Sequence, residues 1–594
     1  MNGWLGAIVH VDLTAKTWGV EHLDGAVYEA WIGGKGLAGM YLDAHVTRSW
    51  DDPAMPLIFM AGPLVGTASP TSGRMCVMSR SPLTGTIGDA SVGGSFGTQL
   101  KKAGFDGIVF TGRAAEPSGV VIEDGRVAFA AAGDLTGLSI GARHERLKAG
   151  GAVACIGPAA ENGVRFACIV VDGGFFVGRN GLGLCMAAKN LGFVTVKGTG
   201  HVGVHDREGL LQAREDIFRL IAGSPVLFGQ QGLIHYGTGA IYDLMHSRRM
   251  MPTRNFRDTY FEPAPGLNAV AYKNRYGSKR AGCRGCHIQC KQVTPDGAHL
   301  PEFETMSHFS ALIDNADIDV VTRANTLCGE LGMDTITAAA TLACFAEIEC
   351  ERLDGSRVLG LLEDIGRGRG LGSELAAGSY SYACAHGHPE LSMSVKGQEL
   401  AAYDPRGAYG MALAYTTSTR GGCHLRAYPI SHEILRKPVA TDRFSFAGKA
   451  RIVKIAEDAN AVVDSLIACK FVFFAASLEE YAKAYTAVTG VASSAQDLLR
   501  IGERIYYRER IMNARNGFSA EQDDLPRRFF EEPGTSGNAI EIRPIDRAQF
   551  LEARSNYYRV RGLDELGRPT STKARELGLD WPPLPTDSEH IETS

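Results

Sequence analysis

The chain has little that would suit it to a membrane, to nucleic acid or to secretion. No window of about 18 residues is apolar and uncharged throughout, and the nearest, residues 461–478, contains Asp464 and Lys470. The first residues, MNGWLGAIVHVDL, lack the basic and apolar stretches of a secretory signal. A net charge of −5 gives no reason to expect nucleic acid or an anionic membrane as partner. We therefore expect a cytoplasmic protein without a membrane span.

The cysteines give no sign of a disulfide framework either. There are 13, an odd number, and all but one group are scattered, which indicates a reducing compartment. Glycine is in excess, because 72 of 594 residues is well above the usual ~7%. Glycine suits places where backbone must approach a ligand closely. The 45% apolar and 21% charged residues predict a globular protein, with about three or four domains at this length.

One group of cysteines, Cys283, Cys286 and Cys290, is spaced C-x2-C-x3-C in the segment AGCRGCHIQCK. Thiolates this close can converge on a zinc ion or on an iron–sulfur cluster. Zinc usually takes paired ligands from two short motifs. A three-cysteine motif with a distant fourth ligand, here Cys469 in DSLIACKF, favours the cluster. A zinc site and a group of buried structural thiols are the alternatives.

The distribution of strand and helix patterns predicts an α+β fold in three domains. Residues 1–205 contain short Val- and Ile-rich runs bounded by Gly, Pro or Asp, which indicate strands, with one helix at about 140–149. Residues 206–393 and 394–594 show apolar residues at i, i+3 and i+4, which indicates helices. We expect a β-rich first domain and two mainly helical domains, with the cysteine motif in a loop of the second and Cys469 in the third.

Three glycine-rich loops in the first domain are candidate ligand-binding segments. They are TASPTSGR, residues 81–97 and residues 177–191. Such loops expose backbone groups that can bind phosphates or cations, although tight turns in a β-rich domain are the alternative. The candidate binding residues in these loops are Arg74, Ser91, Gly93, Gly94, Arg179, Gly181 and Gly183.

Two residues are candidates for acid–base chemistry. Glu304, in PEFETMSHF after the cysteine motif, is a candidate general base; the alternative is a solvated carboxylate in the first turn of a helix. His424 lies in a Gly-rich loop between Arg420 and Arg426, where it is a candidate acid or anion contact. The alternative for His424 is an ordinary surface loop.

Taken together, these motifs resemble a known family. The segments WIGGKGLAGMYL, AGPLVGTASPTSGR, GPAAENGVRFA, PEFET, HPELSMSVKGQEL, DPRGAYGMALAYTTSTRGGCHLR and IGERIYYRER occur in the order seen in the tungsten-dependent aldehyde:ferredoxin oxidoreductases. The resemblance covers the whole chain. It implies a β-rich base for two molybdopterins and two helical domains that close over it. It also implies a tungsten ion held by both pterins (tungstopterin).

The resemblance assigns roles to residues of this chain. It implies that Cys283, Cys286, Cys290 and Cys469 bind a 4Fe-4S cluster. Arg74 would lie between cluster and pterin, and the carbonyl of Ser91 would help to hold a Mg2+ ion. Glu304 and His424 match the family's glutamate and histidine near the metal. The other residues expected at the cofactor are Gly93, Gly94, Arg179, Gly181, Gly183, Asp334, Arg426, Asp464, Ile467 and Ala468.

The sequence departs from the family in two places. The pterin-binding pair D-x-x-G-L-D and D-x-x-G-L-C reads GELGMD and DSLIAC here, so the first lacks its leading Asp and the second has Ile467 in place of Gly. These departures put individual pterin contacts in doubt, but not the cofactor. The family's Glu-x-x-His dimer metal motif reads Arg323-Ala-Asn-Thr326, so a metal-bridged dimer is not expected.

The implied activity is reversible oxidation of aldehydes to carboxylic acids. Electrons would pass through the cluster to ferredoxin or a ferredoxin-like subunit, with a flavoprotein subunit as a further partner. The rival functions are a reductase of carboxylates or aromatic acyl-CoA on the same fold, a non-catalytic Fe–S electron-transfer scaffold, and a zinc-stabilised binding protein. The sequence does not distinguish tungsten from molybdenum, or one aldehyde from another.

The metal content of anaerobically purified protein separates these functions. We expect about one tungsten and about four irons per chain, because four cysteines suit one cubane cluster. Elemental analysis of protein from a host that supplies both heavy metals measures this. Iron without tungsten or molybdenum would favour the electron-transfer scaffold, and zinc alone would contradict the cluster as well.

Overall fold

A computed structural model describes residues 1–283 and 285–581. The first part of the chain forms two six-stranded sheets, all of whose strands lie before residue 198. Their strands, numbered β1 to β12, are Ala7–Asp12, Thr17–His22, Leu57–Met60, Met75–Arg80, Ile87–Val92, Gly107–Thr111, Ser118–Glu123, Arg126–Ala131, Ala152–Ile156, Ile169–Val171, Phe175–Val177 and Leu191–Lys197.

Both sheets are mixed, with one parallel pair each. The first has the order β2-β1-β6-β3-β4-β5, in which β1 and β6 are parallel, and the second has the order β11-β10-β9-β12-β7-β8, in which β12 and β7 are parallel. The strands β3, β4 and β9 are buried along almost their whole length, as their continuous apolar runs predict. The outermost strand β2 is mostly exposed.

Six helices lie among these strands, where the sequence predicted one. The predicted helix at 140–149 is present as Ile140–Leu147. The prediction of a single helix is wrong, and two predicted glycine loops are partly regular structure, since residues 81–97 contain β5 and residues 177–191 contain a helix. The helices, α1 to α6, are Gly25–Trp31, Gly34–Asp43, Phe96–Lys102, Ile140–Leu147, Pro158–Glu161 and Leu182–Ala188.

The missed helices have no amphipathic pattern because they are buried on several sides. In α2, seven of ten residues are buried, including three glycines, and Leu182 to Met186 of α6 are all buried. A helix enclosed by protein has no polar face to produce a period of 3.6 residues. Glycine also weakens helix propensity, so tertiary packing and not local preference makes these segments helical.

The rest of the described chain is mainly helical, which confirms the predicted α+β fold. The predicted helices before and after LGMD are present as Ile318–Leu331 and Thr335–Ile348. The domain boundaries at 205 and 393 stay predictions. Helices α7 to α25 are Arg207–Gly223, Pro225–Phe228, Leu233–Tyr236, Tyr242–Ser247, Ala269–Tyr276, Phe303–His308, Ile318–Leu331, Thr335–Ile348, Gly355–Arg367, Leu371–Leu375, Ser379–Ala385, Tyr409–Thr417, Ile430–Glu433, Lys449–Leu466, Leu478–Thr489, Ala495–Arg515, Arg528–Glu531, Arg547–Arg561 and Ser571–Glu576.

Two short hairpins complete the regular structure that is described. They are formed by β13 and β14, and by β15 and β16, each as an antiparallel pair. Their ranges are Lys279–Ala281, Lys291–Val293, Ser394–Val395 and Gln398–Glu399. Over the described ranges, every helix falls short, in length or in apolar character, of what a bilayer crossing requires.

The end of α20 lies directly against the sheet-forming part of the chain. A Cβ atom on Gly62 would come within 2.6 Å of the carbonyl oxygens of Ser465 and Leu466. The amide of Gly36 donates to Ser465 Oγ at 3.0 Å. Because these contacts leave no room for a side chain at Gly62, they fix how deeply α20 sits against the first domain.

We expect Gly62→Ala to destabilise the protein by about 1–3 kcal/mol, the usual cost of overpacking. Gly360→Ala is the matched control, because Gly360 lies within α15, where a Cβ would meet no atom within 4 Å and alanine has the better helix propensity. Thermal unfolding of both variants measures the difference. Equal midpoints would contradict the tight contact at Gly62.

Candidate functional site

A cavity of about 1530 Å3 lies between the sheet-forming part of the chain and the helices. Its walls bring together most of the predicted site residues, although these are spread over some 400 positions of sequence. The predicted residues that line it are Arg74, Ser91, Gly93, Arg179, Cys283, Cys290, Glu304, Asp334, His424, Asp464, Ala468 and Cys469.

The four predicted cluster cysteines come from two places in the fold. The hairpin of β13 and β14 carries Cys283, Cys286 and Cys290 in its connecting loop. Cys469 follows the end of α20 and is fixed by its backbone amide, which donates to the carbonyl of Thr71 at 3.0 Å. All four are free thiols. Burial raises the pKa values of Cys469, Cys290 and Cys286. The neighbouring thiols lie near enough to raise these pKa values further.

Three of the four thiols, those of Cys283, Cys290 and Cys469, line the cavity. In the parts of the chain that are described, no three His, Cys, Asp or Glu side chains are arranged to hold a single metal ion. Gly93 borders the same space: a Cβ there would lie 2.6 Å from Cys283 Sγ and 2.8 Å from the ring of Phe175. The glycine therefore keeps the space next to Cys283 open.

Arg74 lies beside the thiols of Cys469, Cys283 and Cys290. Its Nε donates to Ser91 Oγ at 2.9 Å and its Nη2 to the Ser91 carbonyl at 2.6 Å. Burial lowers the pKa of Arg74, but the neighbouring thiols, Cys469 foremost, outweigh this and raise it. Arg74 therefore keeps its positive charge next to the sulfur atoms.

The candidate acid–base pair is in contact at the cavity wall. Glu304 lies in the first turn of α12, where Oε2 accepts from the amide of Ala402 at 2.8 Å and Oε1 is 3.4 Å from His424 Nε2. Burial raises the pKa of Glu304 to about 7. Burial together with Arg179 and Arg420 holds the pKa of His424 well below its usual range. The site thus pairs a neutral imidazole with a carboxyl group that can gain or lose a proton near neutral pH.

Aromatic side chains enclose His424. The ring of Tyr403 lies 5.5 Å from the imidazole and that of Tyr428 at 6.4 Å, measured between centroids. The Tyr428 hydroxyl donates to the Tyr403 hydroxyl at 3.0 Å, and Phe474 lies against Tyr428 at 5.9 Å. These residues restrict the access of water to His424 and give this side of the cavity an aromatic wall.

Three predicted residues at the cavity already have partners in the protein. Arg179 Nε lies 3.5 Å from Asp334 Oδ2, and Arg179 Nη2 donates to the carbonyl of Glu399 at 2.7 Å. Asp334 also caps α14, accepting from the amide of Ile336. Asp464 Oδ2 pairs with Lys470 at 2.9 Å, whereas its Oδ1 is buried without a hydrogen-bond partner. Asp464 therefore keeps a free acceptor.

Six predicted residues do not line the cavity, namely Gly94, Gly181, Gly183, Cys286, Arg426 and Ile467. A Cβ on Gly181 would collide with the Arg165 carbonyl, and one on Gly183 would lie 2.5 Å from the Cys168 carbonyl, so packing explains these glycines. Arg426 pairs with the buried Asp89.

Ile467 adopts a left-handed conformation (φ 62°) at the C-terminus of α20, where its side chain points at Gly34. Gly94 also has a positive φ, 96°, and packs against Val171 and Asp172.

Sequence reasoning missed Tyr403 and Tyr428. Both lie outside helices and strands, and Tyr403 precedes His424 by too many residues for any local spacing to reveal a contact. Arg406, in the same segment DPRGAYGMALAYTTSTRGGCHLR as Arg420, pairs with Asp404 in a fully buried contact.

Comparison with known proteins identifies the family. Family models described as the N-terminal domain and as domains 2 and 3 of aldehyde ferredoxin oxidoreductase match residues 8–198 and 212–579. The chain belongs to the aldehyde ferredoxin oxidoreductase family, which confirms the resemblance seen in the sequence.

Among its relatives, the tungsten-containing aldehyde ferredoxin oxidoreductases of Pyrococcus furiosus and Thermococcus kodakarensis are each 36% identical, over 98% of this chain and 99% of theirs.

More distant similarities extend beyond aldehyde enzymes. An aliphatic sulfonate oxidoreductase, WOR-like subunit, of Pyrococcus furiosus is 25% identical over 98% of this chain and 97% of its own. The solved structure of the active site complex BamBC of benzoyl coenzyme A reductase with 1,5-dienoyl-CoA superposes with a TM-score of 0.83 at 20% identity, over 97% of both chains. At that identity the similarity shows the fold alone.

The space beside Cys283 makes Gly93 a sensitive position. We expect Gly93→Ala to lower the iron content of the purified protein at least severalfold, because the added methyl group would displace Cys283 Sγ. Iron per chain measures this. The control is Gly133→Ala, in the same part of the fold, where a Cβ would meet nothing within 4 Å. Unchanged iron in Gly93→Ala would contradict the expected displacement of Cys283 Sγ.

Proposed function

We propose that this protein is a tungsten–pterin oxidoreductase that converts aldehydes to carboxylic acids, RCHO + H2O → RCOO⁻ + 3H⁺ + 2e⁻, and runs reversibly. The observation that carries the proposal is the contact between Glu304 and His424 at the wall of a cavity whose other side is lined by cysteine thiols. The printed names of the relatives at 36% identity support the same reaction.

The cavity suits a large anionic cofactor. Its volume of about 1530 Å3 exceeds the roughly 300–1,000 Å3 of ordinary ligand pockets. Arg74, Arg179 and Arg420 supply positive charge at its walls, and Asp464 Oδ1 and His424 Nδ1 are buried polar atoms without a partner in the protein. When bound there, the tungsten–bis-molybdopterin would supply a Lewis acid and a two-electron acceptor.

The cysteines suit a 4Fe-4S cluster better than zinc. A tetrahedral zinc ion needs its thiolates about 2.3 Å from one point, whereas each thiolate of a cubane reaches a different iron. Three of the thiols come from one short loop and the fourth from the distant end of α20, an arrangement that supports Cys283, Cys286, Cys290 and Cys469 as cluster ligands. Arg74 would hold its charge between the cluster and the remainder of the cavity.

A Mg2+ ion is proposed at the Ser91 carbonyl. That oxygen accepts from Arg74, but a carbonyl has two lone pairs, so one is left for the ion. Carbonyl oxygens are suitable ligands for a hard cation, and the change from the family's usual asparagine to serine leaves the carbonyl in place.

Glu304 and His424 would divide the acid–base work. In its deprotonated form, Glu304 would take a proton from the water that adds to the aldehyde carbon. The neutral imidazole of His424 would donate a hydrogen bond to the oxyanion that develops on the carbonyl oxygen, which is worth about 3–4 kcal/mol if it behaves like other oxyanion donors. Tyr403 and Tyr428 would keep bulk water away from this pair.

We propose ferredoxin or a ferredoxin-like subunit as the electron acceptor, with a flavoprotein subunit as a further partner, and the cytoplasm as the location. These follow from the family and from the absence of a disulfide framework. The second candidate function is reduction of an aromatic acyl-CoA or of a carboxylate, which the fold of the benzoyl-CoA reductase complex and the size of the cavity favour.

Substrate screening with a viologen dye separates the two functions. Dye reduction with aldehydes supports the first. Activity only in the reducing direction, with acyl-CoA, supports the second.

We expect Glu304→Gln to lower aldehyde turnover by about 10²–10⁴, the usual contribution of a general base. Because the deprotonated form is the active one and the pKa of Glu304 is about 7, wild-type turnover should fall as pH drops below neutrality. Dye-coupled assays across pH measure both effects. Glu349→Gln, outside the cavity, is the control. Near-normal turnover in Glu304→Gln would remove this residue from the role of base.

A further inference from the structure

Cys423 is a buried cysteine with unusual partners. Its side chain is fully enclosed, and its sulfur accepts from Arg420 Nε at 3.0 Å, from Arg420 Nη2 at 2.9 Å and from the amide of Leu425 at 3.2 Å. Two parallel contacts from one guanidinium are the geometry in which arginine binds an anion. A neutral thiol has only weak acceptor character and does not explain three converging donors.

The charges that face Cys423 are positive. They belong to Arg420, Arg426 and Arg179, and although burial acts against them, they lower the pKa of the Cys423 thiol to about 7. Other buried cysteines show the opposite behaviour: burial raises the pKa of Cys155 to about 12 and that of Cys185 likewise. The difference comes from the arginines, since all three thiols are equally enclosed.

Cys423 is connected to the proposed site in two ways. It directly precedes His424, whose Nδ1 is buried without a partner and whose Nε2 lies 3.4 Å from Glu304. Arg420 and Leu425, which Cys423 holds, both line the cavity. The titratable groups that face Glu304 are Arg179, Asp334, His424 and Cys423, together with the hydroxyls of Tyr403, Tyr415 and Tyr428.

We propose that Cys423 is a positioning residue: its thiolate anchors Arg420 and the turn that carries His424, and its negative charge acts on the neighbouring Glu304. This rests on the proposed function, because it assigns the pair Glu304 and His424 to the reaction. The sulfur itself forms no bond to substrate.

The physical reason is a balance of charge around Glu304. Asp334 and a Cys423 thiolate raise the pKa of Glu304, while Arg179 lowers it. A neutral residue at 423 would remove a negative charge and leave Arg420 without its anionic sulfur partner, and both changes favour the ionised carboxylate. The best general base has a pKa near the working pH, so loss of the thiolate would give a weaker base.

Infrared difference spectroscopy of the cofactor-loaded protein tests this without turnover. The carbonyl band of the protonated Glu304 carboxyl is identified by its absence in Glu304→Gln and is followed as a function of pH. We expect Cys423→Ser to move its midpoint down by about one pH unit or more, as the loss of a nearby buried charge requires. Cys423→Asp, which restores an anion, should return the midpoint toward that of the wild type. The pH dependence of turnover should shift in the same direction.

Cys155→Ser is the matched control, since it exchanges an enclosed thiol for the same hydroxyl at a place where burial outweighs the one nearby arginine, Arg143. A midpoint unchanged in Cys423→Ser, or shifted equally in Cys423→Ser and Cys423→Asp, overturns the proposal.

The wild type gives a second check that needs no folded variant. An S–H stretching band should disappear as the pH rises through neutrality. If no S–H band changes over this range, the proposal is also overturned. Failure of the proposed function would appear separately, as normal turnover in Glu304→Gln.

Discussion

The site depends on a close contact between backbones, where the end of α20 lies on Gly62 with no side chain between them. This contact sets the position of Asp464 and Cys469, which come from the last third of the chain, relative to Arg74 and Ser91, which come from the first. The left-handed turn at Ile467 then directs the chain toward the thiols. Glycine at position 62 and a helix that stops at 466 are thus requirements of one geometry, since a side chain at position 62 or a longer α20 would move Asp464 and Cys469.

Positive charge at the cavity is held in place by partners within the protein. Arg179 is tied to Asp334 and to backbone carbonyls, and Arg420 is tied to the carbonyl of Asp89 and the sulfur of Cys423. Fixed charges in a poorly solvated site act more strongly than they would in water. The result is visible at His424 and Glu304, where the imidazole stays neutral and the carboxyl titrates near neutrality. The same arginines therefore both favour an anionic ligand and adjust the acid–base pair.

The sequence predicted two kinds of feature. Some follow from the local spacing of residues, and others follow from motifs that occur in the same order as in the family. The three-cysteine motif and the long amphipathic helices are of the first kind. Cys469, Glu304 and His424 are of the second, and the structure brings all of them to one cavity. The enclosed helices α2 and α6 were not predicted because burial on several sides removes the 3.6-residue periodicity of apolar side chains. Tyr403 and Tyr428 were not predicted as site residues because their contact with His424 is made by tertiary packing. Gly181 and Gly183 were predicted at the cofactor, but packing against neighbouring carbonyls explains both glycines.

The separation of Cys469 from the other three thiols couples cofactor assembly to folding. Under the proposed assignment, the hairpin of β13 and β14 is translated long before Cys469 leaves the ribosome, so a complete ligand set exists only after α20 has docked. The free energy of binding a metal centre would then also stabilise the contact between distant parts of the chain. A protein that lacks the cluster would lose this cross-link, and its first and last segments would separate more readily. Under that assignment, insertion of iron and sulfur would be a late maturation step, which a host must time to the completed chain.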